Sequence, residues 1–193
     1  MKFPRIMLTG KSGVGKDHFA RILKRELRPD GGGAFPVLTL AFADALKEEV
    51  RMMLEHQLHA LDKRGVWGVE FGDDARDLLR PLWQWYGTQF VRKNDENYWI
   101  KKVQQKMKGH LGPIIVTDCR FKNEAWFGRN HEFIIVRVVG ENRRGSYVPR
   151  HESEDGVEKI LCDYEVVNSG DDELLVASAR SIIHRAEEYV KGI

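Results

Sequence analysis

The sequence predicts an α/β fold, a five-stranded parallel sheet flanked by helices. Three observations carry this prediction. Short unbroken apolar runs recur along the chain, as strands buried on both faces require. Segments with helical apolar spacing separate most of them. The first run ends in a glycine-rich turn that opens into a helix, as a βα unit begins.

The elements follow in order. Ile6-Met7-Leu8-Thr9 is the first strand, bounded by Gly10. A helix is expected from about Lys16, with Phe19, Ile22, Leu23 and Leu27 at helical spacing, and Pro29-Asp30-Gly31-Gly32-Gly33 ends it. Val37-Leu38-Thr39-Leu40-Ala41 is a second strand, and Asp44 suits the N-cap of a helix to about Leu61. Asp62 to Asp77 has charges, glycines and no period, so it reads as loop. Pro81 suits the first turn of a helix carrying Leu82, Trp83, Trp85 and Tyr86. Asn94-Asp95-Glu96 starts another helix and Gly109 stops it. Ile114–Thr117, Phe133–Val138 and Tyr164–Val167 are three further strands. The last helix begins near Asp172 and turns Leu175, Ile182, Ala186 and Val190 inward. The gap between strands from Asp44 to Gly112 is too long for a simple crossover, so 44–111 reads as a helical insertion on a single domain spanning 1–193.

Composition narrows the class. The 193 residues are 42% hydrophobic and 31% charged, an ordinary globular balance. A chain of this size buries roughly 70% of its unfolded surface and needs no staples, which excludes a disulfide scaffold or a largely disordered chain. The net charge of +2 is no footprint of a general nucleic-acid coat, so anions must be bound by local clusters. Cys119 and Cys162 have no ligand spacing around them, which points to a reducing compartment without structural zinc. No apolar run approaches the roughly 20 residues of a membrane helix. Met1–Arg5 leads straight into a strand, so neither a signal peptide nor a membrane is expected, and a cytoplasmic location is.

Gly10-Lys11-Ser12-Gly13-Val14-Gly15-Lys16-Asp17 has the spacing G-x-x-x-x-G-K between a strand and a helix, the signature of a phosphate-binding (Walker A) loop. Glycines let backbone N–H groups close on phosphate oxygens, and the helix N-terminus adds a favourable dipole. Lys16 is then placed to reach the β- and γ-phosphates of ATP. Asp17 stands where Ser or Thr is usual. It either holds Mg²⁺, directly or through water, or simply favours the positive end of the helix.

With these residues in view, the chain resembles the bacteriophage deoxynucleoside monophosphate kinases, of the P-loop nucleoside monophosphate kinase group. The resemblance spans nearly the whole length. It rests on residues 10–17, Phe42-Ala43-Asp44-Ala45-Leu46-Lys47, Tyr86-Gly87-Thr88-Gln89-Phe90-Val91-Arg92 and Asn97-Tyr98-Trp99-Ile100. It continues through Thr117-Asp118-Cys119-Arg120-Phe121-Lys122-Asn123-Glu124-Ala125, His151-Glu152-Ser153-Glu154 and Val167-Asn168-Ser169-Gly170. It implies a P-loop kinase fold whose insertion binds the acceptor, and transfer of the γ-phosphoryl of ATP to a deoxynucleoside monophosphate with Mg²⁺ as cofactor. Dephospho-CoA and phosphomevalonate kinases are similar in several blocks and leave the acceptor open. A non-enzymatic nucleotide-binding module is the alternative from another class. The expected partners are ATP and the acceptor, without nucleic acid; a homodimer is compatible.

Phosphoryl transfer is mostly positioning and electrostatics, so cations should converge on the phosphates. Arg92 and Arg120 suit the acceptor phosphate, because guanidinium offers a two-point fork; a surface salt bridge is the plain alternative for Arg120. Asp118, two residues before Arg120 at the end of a strand, suits Mg²⁺ held through water, or a helix cap. Lys11, Lys47 and Arg80 are acceptor-side candidates, with a solvated helix face the plain alternative for Lys47 and Arg80, and Gln84, Thr88 and Gln89 are candidates for reading the base or its phosphate. Trp83, Trp85, Tyr86, Tyr98 and Trp99 read mainly as packing, with base stacking open to one or two of them. The segment 140–155, with Arg143, Arg144 and Arg150, reads as a short lid whose arginines are candidates for stabilising developing charge, with a solvated basic loop as the plain alternative. His151–Glu154 reads as a helix start, and Asn168 as either an adenine contact or a turn residue.

Overall fold

The computed structural model describes residues 2–28, 35–62, 76–141 and 156–192. By contacts the chain divides into two compact units, Met1–Ala41 with Gln104–Ile193, and Phe42–Val103. Residues 104–111, expected within the insertion, therefore group with the first unit.

The first unit is built on one sheet of five parallel strands: β1 (Arg5–Thr9), β2 (Leu38–Leu40), β3 (Ile114–Cys119), β4 (Ile134–Gly140) and β5 (Tyr164–Asn168). Their order across the sheet is β2-β3-β1-β4-β5. β1 is central and carries Ile6, Met7 and Leu8, all fully buried, as a strand covered on both faces must. Side chains alternate across it. Ile6 and Leu8 join a core with Phe19, Ile22 and Leu23 of α1 (Lys16–Glu26) and with Leu175, Ala179, Ile182 and Ala186 of α6 (Asp172–Lys191). Met7 points the other way, against Gly128 of α5 (Lys122–Asn130), where any Cβ would lie 2.9 Å from its terminal atoms. Helices thus cover both faces.

The apolar spacing of α6 sets its buried stripe, and its ends are chemically marked. Asp171 Oδ1 accepts from the N–H groups of Glu173 at 2.9 Å and Leu174 at 3.3 Å, and Gly192 closes the helix in the left-handed region. Burying one large apolar side chain contributes about 1.5–3 kcal/mol. The layer formed by Phe19, Leu23, Leu175 and Ile182 is therefore the main anchor of α1, and so of the loop before it.

Two consequences of the sheet bear on function. Chain order reverses direction at β1, which has β3 on one side and β4 on the other. Open parallel sheets hold ligands outside the carboxyl ends of the strands at such a switch point. A bulge also interrupts the β1–β3 ladder: Met7 pairs with Val116, but Thr9 pairs with Cys119. β3 therefore has two residues, Thr117 and Asp118, opposite Leu8 alone, and a bulge re-aims side chains where pairing ends.

The second unit is helical: α2 (Phe42–Asp62), α3 (Arg76–Gln84), a π-helical segment (Trp85–Arg92) and the first part of α4 (Tyr98–Met107). Two expectations are corrected here. The helix expected to be capped by Asp44 starts at Phe42, a buried residue, and Asp44 lies in its first turn, where its charge still suits the helix dipole. Pro81 lies inside α3 rather than in its first turn. The ladder loses the proline donor there, and from Trp85 the bonding widens to π register. The loop expected over 62–77 gives one residue at its start to α2 and two at its end to α3; 63–75 lie outside the described residues. α4 begins where Asp95 takes the Asn97 N–H on its side chain at 3.1 Å and the Tyr98 N–H on its carbonyl at 3.1 Å. Gly109, left-handed at φ 75°, follows its end. Among the described residues no helix is long and apolar enough to cross a membrane.

Candidate functional site

In the sheet unit, the loop from Gly10 to Asp17 joins β1 to α1 at the switch point. Gly10, Gly13 and Gly15 have φ of 144°, 83° and 92°, a region that side-chain-bearing residues rarely adopt. Space tells the same story. A Cβ on Gly10 would lie 2.3 Å from the Val138 carbonyl oxygen, and one on Gly15 would lie 2.1 Å from Asn168 Nδ2. Gly15 is the N-cap of α1 and brings no side-chain cap to the helix end. Val14 is buried and seats the loop on the core; Ser12 is half-buried.

Lys16 is 8% exposed, and its Nζ donates to the carbonyls of Gly10 at 2.7 Å and Lys11 at 2.6 Å. The ammonium thus sits inside the curl of its own loop. Asp17, the second residue of α1, is exposed at the helix start. Lys11 Nζ meets Glu158 Oε1 at 2.5 Å, a carboxylate of the short 3₁₀ turn Val157–Lys159.

Asn168 ends β5 and is 5% exposed. Its Nδ2 donates to the Val14 carbonyl at 2.9 Å, and its Oδ1 accepts from Gly170 N–H at 3.2 Å. The amide is engaged within the protein, as a strut under the loop and a turn-former. The bond to Gly170 N–H is the one a turn residue makes.

Beside the loop, β3 brings Asp118 and Arg120 to its carboxyl end, both half-buried. Between them in sequence, Cys119 is fully buried. Burial first, and then the Glu124 and Asp118 charges, push its thiol well above the ordinary range, so it is no nucleophile. Glu124, 2% exposed, accepts the backbone N–H groups of Arg120 at 2.8 Å and Phe121 at 3.1 Å on one oxygen, Oε2. Arg143 and Arg150, with the rest of 142–155, lie outside the described residues.

The helical unit holds the other candidates. Lys47, on α2, has its Nζ 5.7 Å from the centre of the Trp83 ring, a cation–π distance. Arg80 and Gln84 lie on α3, and Thr88, Gln89 and Arg92 on the π-helical segment. That segment is tied down by side chains. Trp99, 3% exposed, donates its ring N–H to the Gly87 carbonyl at 3.1 Å. Glu49 of α2 accepts from the Tyr86 hydroxyl at 3.2 Å and the Tyr98 hydroxyl at 2.9 Å, and pairs with Lys102 at 2.9 Å. Burial, then Glu49, raise the Tyr86 phenol above its ordinary value, so it stays a hydrogen-bond donor. Hydrogen bonds to Glu49 and then Tyr98 raise the Lys102 ammonium. Of the five aromatic residues picked out, Trp99 is core, whereas Trp85 is 50% exposed and stacks on Phe90 at 5.6 Å.

Fold and switch-point loop together define an α/β protein with one five-stranded parallel sheet flanked by helices. Neither the family models nor the curated proteins contain a match to the chain. Among solved structures it is similar to the crystal structure of TT1252 from Thermus thermophilus, with a TM-score of 0.51 and 18% identity over 95% of this chain and 98% of that one. At that identity the likeness is one of fold.

Proposed function

We propose that the chain is an ATP-dependent kinase that phosphorylates a deoxynucleoside monophosphate, giving the diphosphate and ADP. The supporting observation is the loop 10–17: three left-handed glycines, an N-terminus of α1 without a side-chain cap, and a buried lysine curled into the loop. Such a loop offers N–H groups and one cation to a polyphosphate. The acceptor class rests on the resemblance in the blocks at 86–92, 97–100 and 117–125.

In this reading an oxygen of the acceptor phosphate attacks the γ-phosphorus of ATP while the bond to the β–γ bridging oxygen breaks. Lys16 exchanges the loop carbonyls for β- and γ-phosphate oxygens. Arg92 and Arg120 hold the acceptor phosphate, with Lys11, Lys47, Arg80, Gln84 and Thr88 as further acceptor contacts. Arg143 and Arg150 stabilise charge on the moving group.

Mg²⁺ fits the donor set. Among the described residues no cluster of three or more His, Cys, Asp or Glu forms a cage. Mg²⁺ in phosphoryl-transfer sites takes one or two carboxylates, with phosphate oxygens and water completing its shell. Asp17 and Asp118 would hold it, and it would neutralise charge on the phosphates.

The test is ADP release measured across all deoxynucleoside and ribonucleoside monophosphates, dephospho-CoA and phosphomevalonate. At least one deoxynucleoside monophosphate should stimulate turnover. Lys16→Ala should lower that turnover by at least about a hundredfold with circular dichroism unchanged. ATP binding with no stimulation by any acceptor would favour a non-enzymatic module, and stimulation by a non-nucleotide acceptor alone would move the chain to a metabolite kinase.

A further inference from the structure

We propose that Glu124 is a positioning residue for phosphoryl transfer: it pins the backbone on both sides of Arg120, so that the guanidinium is delivered to the acceptor phosphate in one pose. The inference rests on the kinase reading above and goes beyond it, since Glu124 touches no substrate in it.

The geometry separates this role from ordinary helix capping. In a capping box, the carboxylate three residues into a helix reaches back to the N–H of the N-cap residue. Glu124 does so for Phe121, the N-cap of α5. The same oxygen also takes the N–H of Arg120, one residue outside the helix and outside the motif, and that is the shorter of the two bonds, 2.8 Å against 3.1 Å. Capping carboxylates normally stand at a wet helix end, whereas Glu124 is 2% exposed. Burying a carboxylate is costly unless hydrogen bonds compensate, and bonds to an ionised acceptor are about twice as strong as neutral ones. A cap for α5 alone explains neither the burial nor the bond to Arg120.

The place matters as well. Arg120 directly follows β3, whose end pairs with the end of β1 through Thr9 and Cys119, immediately before the glycine loop. The bulge shifts that ladder by one residue before it closes at Thr9 and Cys119, so Arg120 lies one residue past the last pair. There Glu124 fixes the peptides on either side of the Arg120 Cα. A guanidinium fork needs such restraint, since a displacement of about 1 Å can cost a hundredfold in rate. The signal in the sequence is Phe121-Lys122-Asn123-Glu124, a capping spacing obscured because its first residue has no side-chain oxygen.

The test is steady-state kinetics on the intact chain, with ATP and the best monophosphate varied in turn, for Glu124→Gln, Glu124→Asp, Glu124→Ala, Arg120→Ala and the Arg120→Ala/Glu124→Ala double variant. Glu124→Gln keeps an acceptor oxygen at the same reach and should stay within about threefold of wild type. Glu124→Asp is one methylene short; it and Glu124→Ala should lose about tenfold to a hundredfold in kcat/KM for the acceptor, with KM for ATP within about twofold. The double variant should be no slower than Arg120→Ala, because a residue acting through Arg120 has nothing left to position. Losses that multiply in the double variant, or an ATP KM that rises in step with the acceptor effect, overturn the role of Glu124. Should Glu124→Ala fail to fold, Glu124→Asp in both Arg120 backgrounds decides by the same rule. A wild-type chain that phosphorylates no monophosphate overturns the kinase reading, and this role with it.

Discussion

In the sheet unit the glycine loop and its surroundings are braced against backbone, and in the helical unit the π-helical segment is tied largely by side chains that meet side chains. Gly10 lies against the Val138 carbonyl, Lys16 bonds to loop carbonyls, Asn168 braces the Val14 carbonyl, and Glu124 grips two N–H groups. Around Thr88 and Arg92, Trp99 grips the Gly87 carbonyl in the same way, but the Glu49–Tyr86–Tyr98–Lys102 cluster joins side chain to side chain. A contact with backbone has one partner without rotamers, whereas in a side-chain cluster every partner has several. On the proposed function, a loop that presents one phosphate geometry suits the first construction. On the same reading, a surface that fits an acceptor suits the second.

The contrast can be broken first at Gly10. Gly10→Ala puts a Cβ against backbone oxygen at a φ of 144°, and should destabilise the protein by about 3 kcal/mol, read as a lowered urea midpoint. A loss under about 1 kcal/mol would mean the loop is looser than its contacts imply. Next comes Asn168→Ala, which leaves the Val14 carbonyl without its buried donor. It should cost about 2 kcal/mol and weaken ATP binding in a calorimetric titration, because the loop loses its strut.

Gly87→Ala is the matched experiment in the helical unit. Its Cβ would lie 2.8 Å from a Leu46 methyl, the far end of a flexible side chain. A rotamer change there should hold the loss to about 1 kcal/mol or less, offset in part by the better helix propensity of alanine. A loss equal to that of Gly10→Ala would erase the contrast. The smallest effect belongs to Glu26, which joins α1 to α6 through Arg180 at 2.8 Å. That hydrogen bond is the main reason its carboxyl lies below its ordinary value of 4.5. A carboxylate with a depressed folded pKa stabilises above its unfolded pKa, and that stability fades as pH falls through the folded value. Glu26→Gln should therefore cost less than about 1 kcal/mol at neutral pH, with the gap to wild type closing as pH drops below that ordinary value.

The same contrast explains what was legible in the sequence. Strands, α1, α6 and the glycine loop follow from local period and glycine spacing, so their residues announce them. Asn168 under Val14 joins positions 154 apart, and no local pattern encodes that contact. The Glu49 cluster joins positions 37 and 49 apart, again beyond any window. The π-helical segment escapes a reading based on a period of 3.6, and Pro81 misleads because α3 already begins at Arg76, inside the stretch read as loop. Glu124 is the instructive miss. Its spacing is local, but the N-cap it serves is Phe121, so only the structure shows that its second partner is Arg120.

The most direct test follows the phosphoryl group itself. Phosphorus-31 NMR of the protein with ATP, Mg²⁺ and each deoxynucleoside monophosphate in turn resolves the donor and acceptor phosphates separately. With a true acceptor, the γ-phosphate signal of ATP should fade as signals of ADP and the deoxynucleoside diphosphate grow together in equal amounts, and Lys16→Ala should stop both. Growth of inorganic phosphate alone, or an unchanged spectrum with every deoxynucleoside monophosphate, would contradict phosphoryl transfer to this acceptor class.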